Sequence, residues 1–124
     1  MIRIGPLRLK AQMFCGQETA MGPGKADLLD AIAREGSISA AGRALGMSYR
    51  RTWLLVDTMN RCWKEPLVET AAGGARGGGA RLTGLGQDIL VHYRALEQRV
   101  AEIADSAPLQ ALNAAMRETP KPAQ

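Results

Sequence analysis

The stretch TAAGGARGGGARLT, from Thr70 to Thr83, combines glycines and arginines in a pattern that suits contact with phosphate groups. Backbone N–H groups can approach a ligand closely where glycine has no side chain, and arginine donates hydrogen bonds to phosphate oxygens. A nucleotide-binding P-loop also needs Gly-Lys-Ser/Thr, and the stretch lacks this sequence. The alternatives that remain are a flexible linker and the tip of a hairpin that touches another molecule.

Other reactive side chains are scattered along the chain. His92 is the only histidine and has no serine or cysteine partner beside it, so we expect a surface or interface residue. Cys15 and Cys62 lack the close spacing of a metal knuckle and are interpreted as buried or incidental thiols. No carboxylate pair stands out for acid-base chemistry. The sequence therefore predicts no catalytic residue, no metal and no cofactor, and an enzyme is the least supported class.

The charge distribution separates the middle of the chain from its ends. The 124 residues carry a net charge of +4, with 46% hydrophobic and 23% charged residues, as in an ordinary globular domain. Residues 34–81 hold eight Lys/Arg against four Asp/Glu, a local excess of +4. Such an excess is typical of a surface that meets phosphate. The N-terminal residues resemble no signal peptide and no run is long enough to span a membrane, so a cytoplasmic protein without membrane contact is expected.

The first third of the chain predicts a short strand and a helix. IRIGPLRLKA alternates apolar and polar residues with a phase slip at Gly5-Pro6, which indicates a kinked or edge strand. A loop, GQETAMGPG, follows it. KADLLDAIAREG then has apolar residues at helical spacing and ends at Gly36, a favourable residue for a helix C-terminus.

Two further helices are predicted in the basic segment. Ser37 or Ser39 can cap a short helix, Gly46 permits a sharp turn, and Ser48 can cap YRRTWLLVDTMNRCW. One face of this third helix carries Thr52, Val56, Met59 and Trp63, and the opposite face carries Arg50, Leu54, Asp57 and Arg61. Asp57 and Arg61 have the spacing of an i,i+4 ion pair. Solvated side chains are expected for Arg34, Arg43 and Arg94.

The second half predicts a hairpin and a long helix. EPLVET and ARLT are strand candidates on either side of the glycine-rich stretch, and both sides continue one pattern, which favours a hairpin over a linker. A helix from about Thr83 to Ser106 has a coiled-coil spacing of apolar residues that favours a partner helix. Those residues are Ile89, Tyr93, Leu96, Val100 and Ile103. Leu109, Leu112 and Met116 suggest a weak amphipathic turn or two before a polar tail.

This order of elements predicts a mainly α (α+β) fold, a winged helix-turn-helix with a β-hairpin wing and a long C-terminal dimerisation helix. We assign residues 1–84 to the winged domain, residues 85–105 to the dimerisation helix and residues 106–124 to a partly disordered tail. The third helix of such a fold fits the major groove of DNA, where an arginine can donate to guanine O6 and N7. The glycine-rich tip can lie against the sugar-phosphate backbone.

GSISAAGRALGMSYRRTWLLVDTMN and LVETAAGGARGGGARLTGLGQ resemble the N-terminal DNA-binding domain of molybdate-responsive ModE-family regulators, itself similar to the LysR-type winged helix. The resemblance covers about residues 25–105 and includes Ser-Tyr-basic-x-x-Trp followed by a glycine-rich wing. It implies that Ser48, Tyr49, Arg50, Arg51, Trp53 and Leu54 contact DNA from the helix, and Gly74, Arg76, Gly77 and Arg81 from the wing. For Tyr49 and Trp53, packing against the first helix is an equally good interpretation.

The leading hypothesis is a repressor-type transcriptional regulator, molybdenum-related, that binds a two-fold site on double-stranded DNA as a homodimer. The first alternative is a module that forms heterodimers with a full-length relative, or docks another protein, through its long helix. The second is a stand-alone oxyanion sensor. Because the chain ends about where the family's molybdate-binding region begins, we expect no bound molybdate.

Overall fold

The computed structural model describes residues 1–71 and 79–123. This part of the chain contains three antiparallel two-stranded hairpins and five α-helices. The strands are β1 Ile2–Ile4, β2 Leu7–Leu9, β3 Met13–Cys15, β4 Glu18–Met21, β5 Val68–Ala71 and β6 Gly79–Leu82. The helices are α1 Pro23–Glu35, α2 Ile38–Ala44, α3 Tyr49–Cys62, α4 Gly84–Ala101 and α5 Ala107–Ala115. The predicted fold class, a mainly helical winged helix-turn-helix, is confirmed.

The N-terminal segment contains two hairpins where the sequence predicted one strand and a loop. β1 pairs with β2 around Gly5-Pro6, with Ile4 opposite Leu7, so the phase slip marks a turn within a hairpin. β3 pairs with β4 around Gly16-Gln17, which corrects the predicted loop. Gly16 has a φ of +62°, a value that suits glycine at a two-residue turn. Strands of three or four residues give too short an alternation to detect in sequence.

The three helices of the helix-turn-helix lie close to their predicted positions, although α1 begins at Pro23, two residues before the predicted start. α1 ends at Gly36, whose N–H donates to the Ile32 carbonyl. The hydroxyl of Ser37, and not that of Ser39, caps α2 by accepting from the Ala40 N–H. Gly46, with a φ of +69°, forms the turn before α3. This turn redirects the chain so that α3 crosses α2.

The contact between α2 and α3 is unusually close at Gly42. A Cβ atom at this position would overlap the Thr52 hydroxyl. Thr52 is completely buried, and its hydroxyl donates to the Ser48 carbonyl at 2.8 Å, so this polar atom is satisfied inside the helix. Val56 and Met59, on the same face of α3, are buried with it. The predicted inner face of α3 is thus confirmed.

Contacts at two places attach helix α4 to the rest of the domain: one at its N-terminal end and one near its middle. Thr83 caps it by accepting from the Gly86 N–H at 3.0 Å, as predicted, and donates to the Pro66 carbonyl. Gly86 lies against the Leu67 carbonyl and has no room for a side chain. Further along, the buried Tyr93 hydroxyl donates to the Ala11 carbonyl at 2.8 Å. Burial raises the pKa of Tyr93 to about 12, so the donor stays protonated at neutral pH.

Arg94 connects α4 to α1, which corrects the expectation that it is merely solvated. Its guanidinium donates to Asp27 at 2.8 Å, to Asp30 at 3.0 Å and to Glu97 at 2.9 Å. Partial burial opposes the charge of Arg94, but these three hydrogen bonds outweigh that effect and raise its pKa. Because Asp27 and Asp30 are 67 and 64 residues away in sequence, only the tertiary structure shows this network.

The predicted single helix to Ser106 is interrupted. α4 ends at Ala101, a 3-10 turn covers Glu102–Asp105, and α5 begins at Ala107. Pro108 has no N–H to donate to a preceding carbonyl, and it restricts the residue before it, so an α-helix cannot continue unbroken through this point. α5 buries Leu109 against the domain, whereas Leu112 and Met116 are exposed.

The two cysteines differ in burial. Cys15 is exposed on the β3–β4 hairpin, so of the two interpretations, buried or incidental thiol, the first does not apply to it. Cys62 is half-buried at the end of α3. Burial raises the pKa of the Cys62 thiol, with a contribution from the neighbouring Cys15. Within residues 1–71 and 79–123, none of the helices is long and apolar enough to cross a membrane.

A substitution at Gly86 tests the close packing of α4 on Leu67, the residue before β5. We expect Gly86→Ala to lower the free energy of unfolding by about 1–3 kcal/mol, because the new methyl group must displace the Leu67 backbone. Gly84→Ala, in the same helical turn but with open space around it, is the matched control and is expected to change stability by about 0 to +1 kcal/mol. Urea denaturation measures both values. Equal effects of the two substitutions would contradict the packing described.

Candidate nucleic-acid interface

The N-terminal half of α3 presents a continuous surface to solvent. Ser48 caps the helix, and its hydroxyl accepts from the Arg51 N–H at 3.1 Å. The other five residues predicted to contact DNA from this helix are all exposed: Tyr49, Arg50, Arg51, Trp53 and Leu54. The structure thus brings the six predicted helix residues together on one surface, which we call the α3 outer face.

The two aromatic residues of the α3 outer face contact each other and are exposed to solvent. The Tyr49 side chain is 64% exposed and that of Trp53 is 38% exposed. Their ring centroids lie 6.1 Å apart at an interplanar angle of 70°, an edge-to-face arrangement. The exposure of both rings favours contact with another molecule over burial against α1. Trp63, in contrast, lies on the inner face, where its indole N–H donates to the Ala20 carbonyl.

Asp57 follows the α3 outer face by about one helical turn, and a neighbouring arginine neutralises its charge. Asp57 accepts from the Arg61 guanidinium at 2.9 Å, as the i,i+4 spacing predicted, and this hydrogen bond raises the pKa of Arg61. Arg50 and Arg51 have no carboxylate partner within the described residues. The positive charges closest to the start of α3 thus remain available to phosphate.

Lys25 adds a cation that the sequence analysis did not identify. It lies in the first turn of α1, where burial lowers its pKa and the nearby charge of Arg51 lowers it further. Arg51 and Lys25 are 26 positions apart in sequence, so no spacing rule could have connected them. Lys25 thus lies within electrostatic reach of Arg51, and also of Glu18 and of Cys62 at the other end of α3.

The wing hairpin, formed by β5 and β6, lies against the C-terminal end of α1. β5 and β6 pair from Val68–Leu82 to Ala71–Gly79, and the Ala80 N–H donates to the Gly36 carbonyl at 2.8 Å. Arg81 is exposed and forms an ion pair with Glu69 across the hairpin. The predicted wing residues Gly74, Arg76 and Gly77 lie outside the described residues. The strands of the predicted wing are confirmed, and contact through its tip stays a prediction.

Asn60 connects α3 to the wing, and the sequence analysis missed it. Its carboxamide oxygen accepts from the Leu67 N–H at 2.9 Å and the Val68 N–H at 3.1 Å, and its NH₂ group donates to the Val68 carbonyl at 3.0 Å. Asn60 thus forms three hydrogen bonds that fix β5 relative to the outer face of the helix. An asparagine inside a helix, where its propensity is poor, was the available signal.

The predicted interface residues, four on α4 and Ile103 in the 3-10 turn after it, divide into two groups. Tyr93 is buried and Ile89 packs against the chain's own core. Leu96 and Ile103 are 43% and 41% exposed, and Val100 is half-buried. Only the C-terminal part of the apolar stripe is therefore available to a partner. His92 is exposed beside Tyr93, as expected.

Helices α2 and α3 pack closely, α3 exposes one face to solvent, and the hairpin of β5 and β6 lies beside them. This arrangement defines a winged helix-turn-helix domain. Residues 25–87 match the family model described as bacterial regulatory helix-turn-helix protein, lysR family. The chain belongs to this family. Membership of a family of regulatory helix-turn-helix proteins agrees with the predicted class of DNA-binding regulatory domain.

Three relatives show how far the similarity extends. The chain is 48% identical over 79 residues to the molybdenum transport protein ModE of Azotobacter vinelandii, covering 64% of this chain and 29% of the relative. It is 45% identical over 92 residues to the molybdenum-pterin-binding protein MopA of Rhodobacter capsulatus, covering 69% and 35%. It is 37% identical over 116 residues to the DNA-binding transcriptional dual regulator ModE of Escherichia coli, covering 89% and 42%. The chain thus spans less than half the length of these relatives.

Removing the Asn60 side chain tests how the wing is held. We expect Asn60→Ala to lower the free energy of unfolding by about 2–3 kcal/mol, because two N–H groups and one carbonyl lose their partners. Asn113→Ala, at an exposed position of α5, is the control and is expected to change stability by less than about 0.5 kcal/mol. Chemical denaturation measures both, and a loss at Asn60 no larger than that at Asn113 would refute the role.

Proposed function

We propose that this protein is a sequence-specific regulator of transcription that inserts the α3 outer face into the major groove of DNA. The observation that carries the proposal is the exposed, carboxylate-free pair Arg50 and Arg51 at the N-terminal end of α3. Arg50 can donate two hydrogen bonds to guanine, and Arg51 can donate to a phosphate beside it. The wing, with Arg76 and Arg81, would contact the adjacent backbone, and the site of action would be cytoplasmic DNA.

We infer that two copies associate through the C-terminal part of α4 and the 3-10 turn that follows it. Leu96, Val100 and Ile103 support this inference because they are apolar, at least partly exposed and not required by the core of the chain. A two-fold pair of winged domains would address half-sites on one face of the duplex, roughly 34 Å apart. Residues 1–84 would then form the DNA-binding unit, and the helix that follows would set the spacing.

We further propose that the regulated genes are related to molybdenum. The support is the similarity to proteins named for molybdenum transport and for molybdenum-pterin binding. The similarity lies in the winged domain, the part that would read DNA, so the related feature would be the operator sequence.

Selection of duplexes from a random DNA library tests the proposed binding. We expect a two-fold motif, and we expect Arg50→Ala to relax the base preference at one position per half-site with a loss of about 1–3 kcal/mol. Arg117→Ala, an arginine beyond α5, is the control and should retain both motif and affinity. Each measurement is repeated across a salt series, because phosphate contacts make affinity fall with salt. Recovery of no motif by the unaltered protein would overturn the proposal.

Analytical ultracentrifugation at micromolar concentration tests the proposed dimer. We expect a dimer for the unaltered protein and a monomer for Leu96→Asp, because a carboxylate buried in an apolar contact would lack a partner. Leu112→Asp, on exposed α5, should remain dimeric. A monomeric unaltered protein would contradict the inference, and dissociation by Leu112→Asp alone would place the contact on α5 instead.

A further inference from the structure

The α3 outer face is more apolar than a solvent-exposed helix surface requires. Tyr49, Trp53 and Leu54 are 64%, 38% and 55% exposed, although the core is already filled by the opposite face of the helix. Exposed apolar side chains that cluster on one surface commonly mark a binding site. Electrostatic contact with phosphate uses none of these three side chains, so the basic residues alone do not account for them.

These side chains form one preorganised surface. The edge-to-face contact of Tyr49 and Trp53 holds the two rings, and Leu54 lies beside them. Together with Arg50 and Asp57 they line a shallow depression of about 480 Å³. Asp57 is paired with Arg61, so the depression offers one cationic donor, Arg50, next to apolar carbon atoms.

The major groove offers apolar side chains one favourable partner among its base edges. Guanine, adenine and cytosine present hydrogen-bond donors and acceptors there, which an apolar group would desolvate without compensation. Thymine also presents its C5 methyl group, which gains from contact with an apolar surface. 5-Methylcytosine carries the same methyl group at the same position.

We propose that Leu54 and Trp53 determine part of the sequence preference by contacting the C5 methyl groups of pyrimidines, with thymine as the natural source. The proposal rests on the proposed function, since it requires α3 to lie in the major groove. It adds a second element of recognition to Arg50. Arg50 would read guanine by hydrogen bonding, and its apolar neighbours would read an adjacent methyl group by burial.

The experiment replaces each thymine of the selected duplex, one at a time, by deoxyuridine, which pairs identically but lacks the methyl group. We expect at least one position per half-site where the affinity falls about fourfold, the factor that corresponds to burial of one methyl group. Leu54→Ala or Trp53→Ala should bring the thymine-to-deoxyuridine ratio at that position close to one, whereas Arg50→Ala should preserve it. Leu112→Ala, the same type of substitution at an exposed leucine of α5, should leave the ratio unchanged. Thermal melting of each variant checks that the fold is intact.

A second arm compares cytosine with 5-methylcytosine at the sensitive position. A gain with 5-methylcytosine would extend the ligand to methylated cytosine, and the absence of a gain would assign the contact to thymine; both agree with methyl recognition. Equal affinity for thymine and deoxyuridine at every position of a specifically bound duplex would overturn this inference alone, and would favour a protein partner for the apolar surface. Failure to select any duplex would overturn the proposed function and this inference with it.

Discussion

The close approach of α2 to α3 is the constraint on which the rest of this structure depends. Gly42 leaves no space between its own backbone and Thr52, and Thr52 satisfies its hydroxyl within α3, so two helices can meet without a polar or steric penalty. A larger residue at Gly42 would push α3 outward and rotate its exposed face. The orientation of Arg50 and its neighbours is therefore a consequence of a buried contact that touches no ligand.

Hydrogen bonds at the far ends of the elements extend this orientation to the whole domain. Asn60 fixes β5 to the end of α3, and Trp63 joins the same end to the Ala20 carbonyl of β4. Tyr93 and Arg94 then hold α4 against the N-terminal segment and α1. Side-chain hydrogen bonds thus connect α3, the wing strands and α4 to one another and to the N-terminal segment.

Helices α3 and α4 each bury one set of side chains in the core and expose another set to solvent. Helix α3 buries Thr52, Val56 and Met59 and exposes a cationic and apolar surface on the other side. Helix α4 uses Tyr93 for its own core and leaves Leu96 exposed, although both residues belong to one apolar stripe. Periodicity alone could not separate these uses, because a stripe has the same spacing whether its partner is the same chain or another.

Local signals in the sequence determined the caps of α2, α3 and α4, the turn at Gly46, the inner face of α3 and the Asp57–Arg61 pair, because each depends on residues at most a few positions apart. Together with the Gly-rich hairpin they were enough to predict the fold class and the exposure of Arg50 and Leu54 on α3, whereas the exposure of Tyr49 and Trp53 was left open. Only the tertiary structure decided the two N-terminal hairpins, the hydrogen bonds of Asn60, the Arg94 network and the burial of Tyr93. These features join segments far apart in sequence, or strands too short to show a pattern, and the free energy that selects them comes from packing of the complete chain.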